Sequence, residues 1–313
     1  MRILVVGAGA VGGYFGGRLV QAGRDVTFLV LPKQIEQIQA QGLRILSPTH
    51  GNFTAQPKLI TAAQLASPYD VIFLSVKSYN LAGAINDFAP AVGPRTVIIP
   101  VLNGMHHIDV MTEKFGKDAV LGGVCFVYTE IDSQGRIIQL NDVQSLTYGE
   151  LDGKKTSRIE AVHQGFSGAG FDTVVSADIL QEMWQKWVWN ASLGAITCVL
   201  RGNIGDVVAV PGGAELCVSA LLECAAIAAA SGYPMSETFL AEKSPQLTAV
   251  GSTLASSMYH DLTDHARVEV DTILGDLVDR GRKHGVSAPI VQAAFVGLTI
   301  YQQGRVRAKA AAS

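Results

Sequence analysis

The first half of the chain alternates short apolar runs with segments of helical periodicity. The runs at residues 1–6, 26–31, 70–76 and 96–102 are too short for helices and apolar enough for strands that are buried on both faces. Strands that alternate with helices in this way are typical of a parallel sheet covered by helices. The pattern therefore predicts an α/β fold for this half.

Further β structure is predicted towards the middle of the chain. Residues 43–46 and 53–59 are expected to form a hairpin, and residues 119–130 and 136–148 flank a second turn. A last strand at residues 171–175 is expected to close the sheet.

Beyond residue 176 the strand signal fades and the sequence becomes helical. We therefore predict two domains, an α/β domain over residues 1–177 and an all-α domain over residues 178–313. The predicted helices of the second domain cover 179–200, 214–231, 262–284 and a segment that starts at Pro289.

A glycine-rich turn follows the first predicted strand. Gly7 permits a tight turn, Gly9 lets the backbone approach a pyrophosphate, and Gly12 lets the next helix pack closely. The N-terminus of that helix is suited to bind an anion. The order strand, glycine turn, helix, strand predicts a dinucleotide-binding site, whereas a simple close contact between helix and strand is the alternative. The predicted cofactor-binding residues of the turn are Gly7, Ala8, Gly9, Ala10, Val11 and Gly12.

Two polar residues follow later strands of the same predicted sheet. Lys77 comes directly after the run at 70–76, and Asn103 follows the run at 96–102. Open α/β sheets bind ligands at the carboxyl ends of their strands. Both residues are therefore candidates for contact with the dinucleotide.

Composition narrows the classes of function. The 313 residues carry a net charge of −3 with 48% hydrophobic residues, and no basic stripe suggests nucleic acid as a partner. The four cysteines have no metal-binding spacing and are expected to be core thiols, so no metal site is predicted. We expect a cytoplasmic protein without a membrane span. The oligomeric state is left open, with a homodimer among the options.

The first predicted helix of the second domain carries a candidate for proton transfer. Lys186 and Asn190 are four residues apart and share one helix face, with Trp184, Trp187 and Trp189 around them. A lysine among indoles is partly desolvated and can donate a proton to a developing alkoxide. The alternative is a lysine whose stem packs on tryptophan while its ammonium reaches water.

A second group of polar residues lies further along the chain. From spacing alone, Ser257 is expected to be a cap or a hydroxyl on a helix surface. Glu269 and Asp271 are expected from spacing to be solvated helix charges.

Taken in order, the chemistry-bearing residues resemble those of ketopantoate reductases. The resemblance covers nearly the whole chain. It rests on the glycine turn, Val76-Lys77-Ser78, Asn103-Gly104-Met105, Trp184-Gln-Lys186 with Asn190, Ser256-Ser257-Met258 and Val268-Glu269-Val-Asp271.

The resemblance implies a Rossmann-type domain, an all-helical domain, and NADPH-dependent reduction of the 2-oxo acid 2-ketopantoate to pantoate on the route to coenzyme A. It further implies Lys186 as the general acid and Glu269 as a second polar group that holds the substrate. Asn103 and Asn190 would orient the substrate, and Ser257 would contact its carboxylate. Lys77 would lie near the cofactor.

Two positions depart from the family pattern. The family usually has an arginine after the second strand, where this chain has Leu31, and the first cation is Lys33. Because no acidic residue follows that strand to hold a ribose hydroxyl, Lys33 is predicted to favour NADPH over NADH. The family also usually has a second asparagine at the position of Gly194, where we expect one hydrogen bond fewer and open space.

Two other functions remain open at the level of sequence. One is a family member that reduces a different 2-oxo acid. The other is a dinucleotide-binding sensor without turnover, although pure binding needs neither Lys186 nor Glu269.

Overall fold

The computed structural model describes the backbone of residues 1–312, and it divides into two compact units. One comprises Met1–Leu102 and His107–Glu182, and the other comprises Asn103–His106 and the chain from Met183 onward. Within the described residues, the first unit is α/β and the second contains helices without strands. The predicted fold class is confirmed. The exact division between residues 177 and 178 stays a prediction.

The strands of the described chain form two sheets. The strands are β1 (Arg2–Val6), β2 (Asp25–Leu29), β3 (Leu43–Leu46), β4 (Phe53–Ala55), β5 (Lys58–Ile60), β6 (Val71–Leu74), β7 (Val97–Pro100), β8 (Leu121–Ile131), β9 (Ile137–Glu150) and β10 (Asp172–Val175). The first sheet is parallel throughout, with the order β5-β2-β1-β6-β7. The second sheet is mixed, with the order β10-β9-β3-β4 and β8 paired to β9.

The helices of the described chain include the predicted ones except the one over 262–284, together with others that the sequence pattern did not predict. They are α1 (Ala10–Gln21), α2 (Pro32–Gln41), α3 (Leu81–Phe88), α4 (His106–Phe115), α5 (Ser157–Phe166), α6 (Ile179–Leu200), α7 (Ile204–Val208), α8 (Gly213–Ala230), α9 (Glu237–Leu247), α10 (Ser257–Thr263), α11 (Asp276–Lys283) and α12 (Pro289–Ala312). Helix α8 is long and apolar enough to cross a membrane by length and composition, a test that core helices of soluble proteins also pass. Its Cys217, Leu221 and Cys224 are fully buried.

Glycines let α1 pack closely against both sheets. A Cβ added at Gly16 would lie 2.6 Å from the ring of Phe28 on β2, and one added at Gly17 would lie 2.7 Å from Ile45 on β3. The helix is therefore held by a shared apolar core, in which Phe15, Phe28 and Ile45 are fully buried. This close packing fixes the glycine turn at the start of α1.

Two predictions about the sheets are wrong. The predicted arm at residues 53–59 is two strands, because Pro57 interrupts it and proline has no N–H for the ladder. β4 pairs with β3, but β5 joins the parallel sheet beside β2. The strand at 172–175 also does not close the parallel sheet, since it pairs with β9 in the mixed sheet.

The predicted continuous helix over 262–284 is also wrong. Helix α10 ends before His265, whose φ of 54° is in the left-handed region, and the N–H of Ala266 bonds back to the carbonyl of Asp261 at 2.7 Å. The chain then re-enters a helix through a π-helical turn, Asp271–Gly275, that leads into α11. This break leaves residues 266–269 outside any helix and places Glu269 directly before the next helical segment.

Candidate functional site

The glycine turn of the first unit has the geometry of an anion-binding loop. Gly7 has a φ of +94°, and its N–H donates to the carbonyl of Leu29 on β2 at 3.1 Å. Gly9 is the N-cap of α1, and the space that a Cβ on Gly9 would fill is open. Because the first N–H groups of a helix have no partner within the helix, they can bind an anion that approaches Gly9.

Gly12 closes the inner side of this turn. A Cβ at this position would lie 2.0 Å from Oγ of Ser75 and 2.2 Å from the carbonyl oxygen of Gly7. Any side chain here would push the helix away from the strand. The turn is therefore tight on its inner side and open at Gly9, which suits the diphosphate of a dinucleotide.

Two exposed lysines lie at the carboxyl ends of the parallel strands. Lys33 is in the first turn of α2, directly after β2, and Lys77 follows β6. Val30 and Leu31 separate β2 from α2, so no carboxylate stands at the end of β2. A dinucleotide phosphate near this helix start would meet a positive charge from Lys33, and the first turn of α2 carries no acidic residue.

In the second unit, a hydrogen bond joins two of the predicted substrate residues. Nδ2 of Asn190 donates to Oδ1 of Asn103 at 3.1 Å. Asn190 lies one helical turn beyond Lys186 on α6, so their side chains share a face about 5 to 6 Å apart at Cβ. Lys186, Asn190 and Asn103 are all half-buried. The fold thus gathers an ammonium and two amides from segments that are far apart in sequence.

The bond between the two amides leaves capacity for a ligand. Outside it, the pair still has two N–H donors on Asn103, and one N–H donor and the carbonyl oxygen on Asn190. Such a set can bind both a carbonyl or carboxylate oxygen and a hydroxyl group. The arrangement is therefore suited to an oxygen-rich small molecule.

Glycine is required beside Asn103. Gly104 has a φ of +81°, and a Cβ there would lie 2.6 Å from the carbonyl oxygen of Thr272 in the π-helical turn. Both the left-handed backbone and the close approach exclude larger residues. Gly104 therefore seats the Asn103 segment directly against the turn that follows Glu269.

Spacing alone predicted that Glu269 is a solvated charge on a helix, and this prediction is wrong. Only 6% of it is exposed, and it precedes the π-helical turn, where its carbonyl oxygen accepts from the N–H of Ile273 at 3.1 Å. Asp271, in contrast, is exposed. A buried carboxylate requires polar partners, which makes Glu269 a stronger candidate for a functional role than Asp271.

The tryptophans of α6 have different surroundings. Trp184 and Trp187 are 1% exposed, and the guanidinium of Arg280 lies 5.7 and 5.5 Å from their ring centroids. Trp189 is half-buried, with Nζ of Lys243 at 5.4 Å from its ring centroid. Two cations other than Lys186 thus pack on these indoles.

Ser257 starts α10 as an exposed residue, while its neighbour Ser256 is the cap. Ser256 is buried, its Oγ accepts from the N–H of Tyr259 at 3.0 Å, and it lies 3.0 Å from Oγ1 of Thr197. This hydroxyl is therefore used within the fold. The exposed Ser257 is the serine of the pair that a ligand can reach.

The prediction of open space at Gly194 is wrong. A Cβ on Gly194 would lie 2.8 Å from Cε of Met258, which is 2% exposed. The space that a side chain on Gly194 would occupy is taken by the side chain of Met258 from α10. This part of the helix face is consequently apolar.

Comparison with known proteins identifies the family to which the chain belongs. Residues 3–153 match the sequence model of the family described as ketopantoate reductase PanE/ApbA, and residues 178–302 match that of its C-terminal part. The chain belongs to this family. The motifs of the sequence resembled those of ketopantoate reductases, and the membership in this family is confirmed. The protein is an oxidoreductase of the family.

The relatives of this chain carry different functional descriptions. The uncharacterized oxidoreductase YkpB of Bacillus subtilis (strain 168) is 32% identical over 302 residues, which are 96% of this chain and 99% of the relative. The crystal structure of 2-dehydropantoate 2-reductase from Methylococcus capsulatus is 26% identical, with a TM-score of 0.85, over 97% of this chain and 98% of that one. D-mandelate dehydrogenase, solved with NADH and anilino(oxo)acetate, shares the fold at 20% identity and a TM-score of 0.86, over 97% of this chain and 99% of that one.

Sequence reasoning missed three features of this ketopantoate reductase family member. The cap at Ser256 was signalled by a serine three residues before Tyr259 at a helix start. The contact of Met258 with Gly194 and the hydrogen bond from Trp187 to Ile273 had no signal in the sequence. Both join segments that are distant along the chain.

Proposed function

We propose that this protein reduces 2-ketopantoate to pantoate with NADPH. The observation that carries the proposal is the hydrogen bond between Asn190 and Asn103 on the helix face of Lys186. It supports an oxygen-rich substrate held beside a proton donor, as reduction of a 2-oxo acid requires. The similarity to the 2-dehydropantoate 2-reductase of Methylococcus capsulatus adds support.

The first unit would hold the cofactor. The residues Gly7 to Gly12 and the N-terminus of α1 would bind the diphosphate, with Lys77 nearby. Lys33 would contact the 2′-phosphate and so favour NADPH. When bound, the nicotinamide supplies the hydride for the ketone carbon.

The second unit would hold the substrate and supply the proton. Hydride arrival turns the ketone oxygen into an alkoxide, which Lys186 would stabilise and protonate. Asn190 and Asn103 would orient the 2-oxo acid, and Ser257 would contact its carboxylate. The buried Glu269 would bind a substrate hydroxyl or hold the ammonium of Lys186 in place.

The test is consumption of NADPH, followed by its near-ultraviolet absorbance, when 2-ketopantoate is added to the purified protein. We expect turnover that depends on both substrate and enzyme. Binding of NADPH without turnover on any 2-oxo acid would instead indicate a dinucleotide sensor and contradict the proposal.

A specific observation favours a second candidate, a reductase for a different 2-oxo acid. Met258 fills the space at Gly194 with an apolar side chain on the substrate helix. Without a polar side chain at position 194, the helix offers no additional hydrogen bond to a substrate hydroxyl, so an apolar or aryl substituent would be accepted more readily. D-mandelate dehydrogenase shows that an enzyme of this fold can act on an aryl compound. A panel of 2-oxo acids with hydroxylated, aliphatic and aryl substituents, compared by kcat/KM, distinguishes the two candidates.

A further inference from the structure

Trp187 bonds to one of the two segments that bring polar residues to α6 and lies near the other. Its indole Nε1 donates to the carbonyl oxygen of Ile273, in the π-helical turn, at 2.9 Å. The same nitrogen lies 3.8 Å from the position of a Cβ on Gly104, next to Asn103. A single side chain thus lies against the Asn103 segment and the turn that follows Glu269.

The hydrogen bond stabilises a type of backbone that is uncommon. A π-helical turn is wider than an α-helix, and such turns occur often at functional sites. Trp187 is 1% exposed, so in this dry environment loss of the indole donor leaves the carbonyl of Ile273 without that partner. The turn would then relax towards other arrangements.

Trp187 itself has little freedom to move. Its ring centroid lies 4.7 Å from that of Trp184, and Arg280, which pairs with Asp276 at 3.1 Å, lies over the ring. On α6 it directly follows Lys186 and precedes Asn190 by three residues. A fixed indole on this helix can therefore set the distance from Lys186 to Glu269 and Asn103.

We propose that Trp187 is a positioning residue for the reaction: its indole N–H holds the π-helical turn, against which the backbone at Gly104 packs, in register with Lys186 and Asn190. The role in catalysis rests on the proposed function. The structural part, a turn held by one indole donor, stands on the hydrogen bond itself. Each part is tested by its own measurement.

The variant Trp187→Phe removes the donor and keeps an aromatic ring. Trp184→Phe is the matched control, because Trp184 is equally buried on the same helix but stacks on Tyr233 at 5.3 Å. For both variants we would measure Tm, NADPH affinity, kcat, KM and the pH profile of kcat. Amide hydrogen exchange over residues 269–276 would be measured without substrate.

We expect Trp187→Phe to lower kcat by about ten- to a hundredfold, as misplacement of reacting groups by about 1 Å does. The pH profile of kcat should shift because the surroundings of Lys186 and Glu269 change, and exchange over 269–276 should accelerate. NADPH affinity should stay the same. Trp184→Phe should lower Tm but keep kcat within about twofold of wild type.

The two parts fail in different ways. Unchanged exchange over 269–276 in Trp187→Phe overturns the proposal whatever the activity is. Equal losses of kcat in both variants, in proportion to their losses of Tm, also overturn it, because they indicate only a structural role. If the wild type turns over no 2-oxo acid while exchange accelerates in Trp187→Phe alone, the proposed function fails and the indole remains the element that holds the turn.

Discussion

The side-chain amide of Asn190 donates to Oδ1 of Asn103 at 3.1 Å, across a sequence separation of 87 residues. This bond joins α6 to the short segment at Asn103–His106 that belongs to the same compact unit. Each amide fixes the orientation of the other, so a substrate meets a pair of groups that are already arranged. Pre-arranged donors are the ones that stabilise a transition state without a cost of reorganisation.

The asparagine pair should therefore act as a unit. We expect Asn103→Ala and Asn190→Ala each to raise KM for the 2-oxo acid. The double variant should lose less transition-state binding free energy than the sum of the losses in the two single variants. The coupling energy should be about 0.5 to 1.5 kcal/mol, the net contribution of one hydrogen bond. A double-mutant cycle on kcat/KM measures it, and strict additivity would show that the two amides act independently.

Lys186 should contribute mainly to the transition state. Lys186→Ala is expected to lower kcat by about two to four orders of magnitude while NADPH affinity changes little. Lys186→Arg keeps the charge but cannot release a proton, so it separates charge stabilisation from proton donation. Glu269→Ala should act mostly on KM. An active but less stable Lys186→Ala protein would mean that Lys186 only packs on tryptophan.

The preference for NADPH should depend on Lys33. Titration of both cofactors is expected to show tighter binding of NADPH, with a modest preference because a flexible ammonium replaces a bidentate guanidinium. Lys33→Ala should reduce this preference, whereas Lys155→Ala removes an exposed charge elsewhere and serves as the control. Equal affinity of the wild type for NADH and NADPH would contradict the role of Lys33.

Substrate choice should respond to Gly194 and Met258 together. Because Met258 occupies the space beside Gly194, Gly194→Asn alone should not improve discrimination for 2-ketopantoate. Combined with Met258→Ala, the new amide has room, and the preference over the analogue without the hydroxyl should rise by about 1 kcal/mol. The ratio of kcat/KM values measures this, with Met258→Ala alone as control. A full gain from Gly194→Asn alone would show that Met258 yields freely.

Glu150 should make the first unit sensitive to acid. Burial opposes its ionisation, but Arg158, whose Nε donates to Oε1 at 2.7 Å, and the hydroxyl of Thr156 hold the pKa of Glu150 below its ordinary value. A carboxyl with a lowered folded-state pKa stabilises the fold above its unfolded pKa of about 4.3, and this contribution disappears as the pH falls through the folded-state pKa. Tm measured from neutral pH to about pH 3 should decline less steeply in Glu150→Gln, which is less stable at neutral pH. Parallel declines in both proteins would show that other carboxyls dominate.

Features that depend on neighbouring residues could be predicted from the sequence. The glycine turn lies between consecutive elements, so its spacing alone indicated the tight turn at Gly7 and the close contact at Gly12. Lys186 and Asn190 share a face because of the periodicity of one helix. The parallel strands could also be predicted from local sequence, because a strand that is buried on both faces is a continuous apolar run.

Features that join distant segments were decided only by the tertiary structure. Apolar runs do not encode their partners, so the placement of β5 beside β2 and of β10 beside β9 could not be derived from them. The helix expected over 262–284 is interrupted at residues 264–269, and the π-helical turn that follows is contacted by Trp187 and Gly104 from distant parts of the sequence. Local propensity does not include such contacts. The sequence thus determined which groups the protein has for chemistry, and packing between distant segments determined which of them meet.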